Sequence, residues 1–320
     1  MNDLKAAVFE ATPLDQAARA AWLYYVGQKT QDQIAQELGI SRQRAQRLVA
    51  RAVSEGLIHF HLDHRIARCL EMEAEFMRRG LRLCRVAPSL GEGAQPLHAI
   101  APIAAAEIER ILSVEHPLVV AVGTGRAMRA AVEQVPTLNG AHHQIVSLNG
   151  NISPDGSASH FDVLMRLADR VGARQYPMPL PVIASSEDER ELFHSLGPVR
   201  RNFAMARKAS VTFVGIGQAS GSAPMLKDGF LTAEELEEIR MAGGIGEIVG
   251  WYYDESGSYL DGGPNRRVAG VRVDPPSEDK LVVGVAGGLE KLPAILGAIS
   301  GKIVNGLVTD EQTAEALLSQ

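Results

Sequence analysis

Cysteine is nearly absent from this chain. Cys69 and Cys84 are the two in 320 residues, and neither belongs to a CxxC or Cys/His spacing. A disulfide framework and a structural zinc site are therefore excluded, which leaves both as packing residues. Aromatic residues are scarce at 5%, whereas 31 glycines and 16 prolines suit a loop-rich α/β architecture. No apolar run approaches the roughly 18 to 20 uncharged residues that a membrane span needs. The N-terminal stretch MNDLKAAVFEATPLDQ carries acids early and has no apolar h-region, so the cytoplasm is the expected compartment. A basic excess is missing too, since the formal net charge is −6.

That deficit is uneven. Residues 1–86 carry +3 and the remainder −9, an acidic body with a small basic head, which is compatible with a nucleic-acid partner. The head reads as three helices. Residues 14–27 place Ala17, Ala21, Tyr24 and Tyr25 at helical spacing, with Gly27 as a stop. Thr30 heads a capped helix burying Ile34, Ala35 and Leu38, with Gln33 three residues after the cap and a break at Gly39. Ser41 caps a third helix with Ala45, Leu48, Val49 and Ala52 on its buried stripe. At 100° per residue, Gln43, Gln46, Arg47 and Ala50 oppose that stripe, with Arg42, Arg44 and Arg51 on its flanks. Glutamine matches adenine N6/N7, and arginine matches guanine O6/N7 or phosphate, so a helix-turn-helix reading duplex DNA is expected. The following IHFHLD reads as a short strand or wing. From His64 a helix of about four turns is expected as a linker and dimerisation element.

From residue 81 onward, strands and helices alternate, the signature of a parallel doubly wound α/β fold. The expected strands are 81–87, 117–123, 144–148, 210–217, 247–253, 280–288 and 302–308, with helices such as 125–135, 160–171, 232–241 and 289–299 between them. Proline-rich 177–182 and 264–277 read as loops or an inserted antiparallel lobe.

Three strands end in glycine: at Gly123-Thr124-Gly125, Gly215-Ile216-Gly217 and Gly287-Gly288. Ligands of open α/β sheets gather beyond such strand ends, so a floor for phosphate or polyol is expected there. A dinucleotide is excluded, because GTGRAM lacks the third glycine of GxGxxG and QIVSLNG ends without the acid that would hold a ribose. Lys291, in the first turn after Gly288, is placed to meet an anion, and Glu247 to accept hydroxyl hydrogen bonds from a sugar. His142-His143 lack a matched Ser or Cys, Asp254 begins a turn, and no catalytic motif stands out. No enzyme activity and no cofactor or metal is expected.

The chain resembles the SorC family of bacterial transcriptional regulators. The resemblance rests on AWLYYVGQKTQDQIAQELGISRQRAQRLVARAVSEGLI, VAVGTGRAM, VTFVGIG, GGIGEIVGWYYDESG and GVAGGLEKLPAILGAISGKIVNGLVTDEQTAEALL, of which the last two are the most specific. It implies a helix-turn-helix domain over 1–62, a linker and dimerisation helix over 63–80, and a sugar effector-binding domain of NagB/RpiA/CoA transferase-like α/β fold over 81–320. It implies operator DNA, a sugar-phosphate or sugar-alcohol effector, and a dimer or tetramer as partners. Gly123, Thr124 and Gly125, with Arg126, would form one effector loop. Glu247 would contact hydroxyls, and Gly287, Gly288 and Lys291 would bind the anionic end. The chain departs from the family at Ala127, where a hydroxyl residue is common, and Arg126 adds a charge. The rival expectation is a sugar-phosphate isomerase or deaminase with an accessory head; the complete helix-turn-helix and the lack of an organised acid/base set stand against it.

Overall fold

A computed structural model describes residues 12–58, 67–91, 93–153, 156–157, 163–221 and 223–320. The chain divides into two compact units, Met1–His61 and Leu62–Gln320.

In the first unit, α1 (Pro13–Tyr25), α2 (Gln31–Leu38) and α3 (Arg42–Ser54) follow the capping signals in the sequence. Thr12 with Asp15, and Thr30 with Gln33, form reciprocal capping boxes, and Ser41 accepts the Arg44 N–H. Gly39 ends α2 at φ 64°, a left-handed conformation that costs glycine nothing. The expected core is present, with one change. Leu23 is buried, while Tyr24 and Tyr25 are each 37% exposed, because Ala17, Ala20 and Leu23 define the inward stripe. Apart from Ile58, the expected IHFHLD wing lies outside the described residues, as does the start of the helix expected from His64.

The second unit opens with α4 (Ala67–Arg78) and β1 (Leu83–Ala87), then α5 (Pro96–Leu112), β2 (Val119–Val122), α6 (Arg126–Val132) and β3 (Gln144–Ile152). Next come α7 (Leu164–Val171), β4 (Arg174–Pro181), α8 (Glu187–Ser195), α9 (Gly197–Arg207), β5 (Val211–Gly215) and the short β6 (Gly217–Gln218). Then follow α10 (Pro224–Lys227), α11 (Ala233–Met241), β7 (Gly246–Ile248) and β8 (Trp251–Tyr253). The chain closes with β9 (Leu281–Val285), α12 (Leu292–Ser300), β10 (Gly306–Asp310) and α13 (Glu311–Leu318). Seven strands form one parallel sheet in the order β1-β10-β9-β5-β2-β3-β4.

Parallel strands need crossovers, which cover both faces of the sheet, and the side chains divide with period two. Val120, Val122, Phe213 and Val283 pack towards α5, α6 and α7. Ala121, Val214 and Val282 pack towards α4, α9, α12 and α13. Cys69 and Cys84 are free thiols buried in the second of these layers.

Three expectations change. Residues 177–182 lie mostly in β4, not in a loop. Met178 and Leu180 turn inward, and prolines 177, 179 and 181 are tolerated because β4 is an edge strand whose missing N–H groups break no second ladder. Residues 247–253 do not form one strand of the main sheet. Val249 (φ 59°) and Gly250 (φ 82°) reverse the chain, so β7 and β8 form a two-residue hairpin that pairs with β6 in a separate antiparallel sheet. Two positive-φ residues are what a primed hairpin turn requires. The segment expected as strand 302–308 is a turn up to Asn305, with Lys302 at φ 54°, before β10 begins.

Buried charge ties α4 and α5 to β1. The Glu107 carboxylate receives Arg85 Nε at 3.0 Å and Arg110 Nε at 2.9 Å, and Glu73 accepts the Val86 N–H at 2.9 Å. Removing one partner of such a set leaves the other charge poorly compensated. Glu107→Ala should therefore cost about 3 kcal/mol in urea denaturation; a loss within about 0.5 kcal/mol, the range of ordinary surface substitutions, would contradict this account.

Candidate functional site

In the second unit, the chain runs from β2 outward through β3 and β4, then returns to place β5 on the other side of β2, continuing to β9 and β10. The strand order therefore reverses between β2 and β5, where the loops after the two strands diverge and leave a crevice. A cavity of about 430 Å³ lies at this point. Thr124, Gly125 and Arg126 line it from the end of β2, Gly215 and Gly217 from the end of β5, and Glu247 and Lys291 from further along the chain.

Glu247 is held by the hairpin. Its Oε2 accepts the Gly250 N–H at 2.8 Å, and β-pairing sets it opposite Gly217, where the absence of a side chain leaves room for the carboxylate. Burial raises its pKa above the ordinary carboxylate value, opposed by the Gly250 hydrogen bond and by the charge of Lys291. Lys291 lies in a short 3-10 turn before α12, and its Nζ donates to the Ile216 carbonyl at 3.0 Å. Burial lowers its pKa, with Glu247 and Glu290 working against the shift. Val249, one of three non-glycine residues at positive φ among the described residues, also faces the cavity. Strain of this kind concentrates at binding sites.

Not every expected residue converges. Gly123 continues the ladder, donating to the Phe213 carbonyl at 2.8 Å, and is absent from the cavity wall. Gly287 and Gly288 are absent as well. The Gly288 N–H is divided between Asp310 Oδ2 at 3.1 Å and Thr313 Oγ1 at 2.8 Å, so it is not offered to a ligand. This corrects the expectation of an anion site on that turn. β9 is one strand removed from the reversal, and its glycines serve the junction with β10 and α13.

Among the wall residues that were not foreseen, Asn149, Asp228 and Glu290 bear on the site's charge and shape. Asn149, on β3, accepts the Thr124 N–H on Oδ1 at 3.1 Å and so shapes the loop after β2. Asp228 pairs with Arg126 at 2.9 Å, and Glu290 completes the rim beside Lys291. His142 and His143 are structural. His143 Nδ1 accepts the Leu118 N–H at 3.1 Å and Nε2 lies 3.1 Å from the Leu112 carbonyl, while burial lowers its pKa. Asp254 caps its turn through the Ser256 N–H at 2.9 Å.

In the first unit, the outer face of α3 exposes Gln43, Gln46 and Arg47. Its flanking arginines are steadied within the head: Arg44 donates to Gln16 Oε1 at 3.1 Å, Arg42 lies 3.5 Å from Asp32, and Arg51 lies 3.3 Å from Glu55. Arg47 Nε donates to the Gln43 carbonyl at 3.4 Å, which lays its guanidinium along the exposed face.

Comparison with known proteins agrees with this two-part build. A sugar-binding domain model matches residues 64–319, and a MarR family model matches residues 13–65. The erythritol catabolism regulatory protein EryD of Brucella abortus is 33% identical over 305 residues, spanning 95% of this chain and 96% of that protein. The transcriptional regulator LsrR of Klebsiella pneumoniae is 31% identical over 308 residues, spanning 94% and 92%. The full-length sorbitol operon regulator SorC from Klebsiella pneumoniae superposes with a TM-score of 0.71 at 26% identity, covering 94% of this chain and 97% of that one. These relatives are named as regulators of transcription and not as enzymes, which removes the isomerase or deaminase alternative. The chain belongs to the SorC family of sugar-binding transcriptional regulators.

Proposed function

We propose that the protein controls transcription of a sugar or sugar-alcohol catabolic operon in the cytoplasm, reading its operator through α3 and sensing its effector in the cavity between β2 and β5. The observation that carries this reading is the cavity itself: a crevice at the strand-order reversal, walled by an acid, an amide and a lysine, in a chain whose other unit is a helix-turn-helix. Relatives named for erythritol catabolism and for the sorbitol operon support a polyhydroxylated effector. In this reading the head spans 1–62, residues 63–80 link it to the body, and 81–320 bind the effector. Binding acts on DNA affinity only to the extent that the effector interacts differently with two conformations of the protein.

On the DNA side, Gln43, Gln46 and Arg47 reach base edges, while Arg42, Arg44 and Arg51 serve phosphates and the packing of the head. Arg47→Ala opens no cavity, because the side chain is exposed. It should cost about 1–3 kcal/mol of operator binding. Unchanged affinity in Gln43→Ala, Gln46→Ala and Arg47→Ala alike, measured by fluorescence anisotropy, would remove α3 from the interface.

One head contacts one half-site, so specific binding calls for at least a dimer, with a tetramer as the larger alternative. Leu70 and Met77, seven residues apart on α4, are 46% and 49% exposed and offer an apolar seam for self-association. Light scattering should give a mass of at least twice the 34.4 kDa of one chain; a monomer both with and without DNA is the opposing result.

On the effector side, Glu247→Gln should weaken binding by about 1.5–3 kcal/mol, the range for hydrogen bonds to a charged group. Lys291→Ala should cost a similar amount for a phosphorylated ligand and less for a neutral one. Because burial raises the Glu247 pKa, the accepting carboxylate is lost early as pH falls. Calorimetric affinity should therefore decrease on acidification in the wild type and stay flat in Glu247→Gln; parallel pH profiles in the two proteins would exclude Glu247 as the titrating acceptor.

A further inference from the structure

The cavity's charges and hydrogen bonds bear on the chemical class of the effector. An anionic group could be held at the Gly287-Gly288 turn, at the loop after β2, or at a cationic side chain. At each of the three, donors are already engaged by the protein's own groups. At the turn, the Gly288 N–H goes to Asp310 and Thr313. A Cβ added to Gly288 would meet both Glu290 carboxylate oxygens at 2.7 Å, so that carboxylate lies against the turn. In the loop, the Thr124 N–H goes to Asn149. Of the cations, Arg126 is paired with Asp228 at 2.9 Å, Lys291 donates to a backbone carbonyl, and Lys227 is exposed at the rim.

The sign balance points the same way. Arg126, Lys227 and Lys291 stand on the wall against Asp228, Glu247 and Glu290, three charges of each sign. A phosphate entering here would settle among three carboxylates, and like charges brought together across an interface cost several kcal/mol. A hydroxyl both donates and accepts. It can give its proton to Glu247 or Asp228, and accept from the remaining protons of Lys291, without separating any pair.

Resting on the reading of this cavity as the effector site, we infer that the effector is an uncharged polyol or sugar, and that the Glu290 carboxylate discriminates against phosphorylated analogues. Glu290 is exposed and carries none of the helix caps, so Glu290→Gln removes the charge without disturbing the fold.

The test is titration calorimetry on the full chain with erythritol, ribitol and glucitol, and with the terminal monophosphate of each. In the wild type, at least one neutral alditol should bind about tenfold or more tightly than its own monophosphate. In Glu290→Gln that ratio should shrink severalfold because the monophosphate gains affinity, while the neutral alditol changes by less than about twofold. A monophosphate that binds the wild type as tightly as its parent alditol, or more tightly, would overturn the inference and leave the cavity reading intact. An unchanged ratio in Glu290→Gln would overturn the role given to Glu290. Binding of none of the six probes, or alditol binding that Glu247→Gln does not weaken, would overturn the cavity reading and the inference together.

Discussion

The second unit is organised around one carboxylate, that of Glu247. Its bond to the Gly250 N–H stabilises a reversal that requires Val249 to adopt a left-handed conformation, and that reversal separates β7 from β8. The small antiparallel sheet made by the hairpin with β6 places the acid at the end of β5, beside the strand-order reversal. A carboxylate is thereby held in the wall of a partly apolar crevice, with the Gly250 N–H as a hydrogen-bond partner. Burying a carboxylate costs free energy that one hydrogen bond offsets only in part, and a ligand hydroxyl would offset more.

A second junction fixes what surrounds the acid. Asp310 accepts from the Gly288 N–H, the Thr313 N–H and the Thr313 hydroxyl, at 3.1, 3.0 and 2.6 Å. It thus fastens the end of β9 to the start of α13 and sets the short turn that carries Glu290 and Lys291. The glycine pair after β9 is therefore a structural joint, and its conformational freedom serves a close approach to Asp310. The α13 helix in turn packs on α4, with Arg68 paired to Glu315 and Arg79 donating to the Leu318 carbonyl. The turn that walls the cavity and the helix that follows the head thus share one packed layer.

Much of the architecture was legible in the residues. The head could be read almost completely, because capping boxes, a left-handed glycine and 3.6-residue periodicity are local signals. Alternation of apolar runs with helical stretches was enough for a parallel α/β body. Prolines at every second position of β4 masked a strand, since the sequence does not say which strand lies at an edge. The run 247–253 looked continuous because nothing in its composition announces that Val249 takes a positive φ.

For the site, the sequence by itself determined which residue types were available: Glu247, Lys291, Arg126 and glycine-ended strands, together with an α3 face free of acid. Only the tertiary structure decided which of them meet. The order of strands in the sheet, a product of long-range pairing, put the ends of β2 and β5 side by side and left the Gly287-Gly288 turn one strand away. The same pairing brought in Asn149, Asp228 and Glu290, each an ordinary residue in its own segment. A hydrogen bond between segments far apart in the chain leaves no local periodicity. Which amides Asp310 and Asn149 had already claimed was therefore invisible until the strands were laid in order.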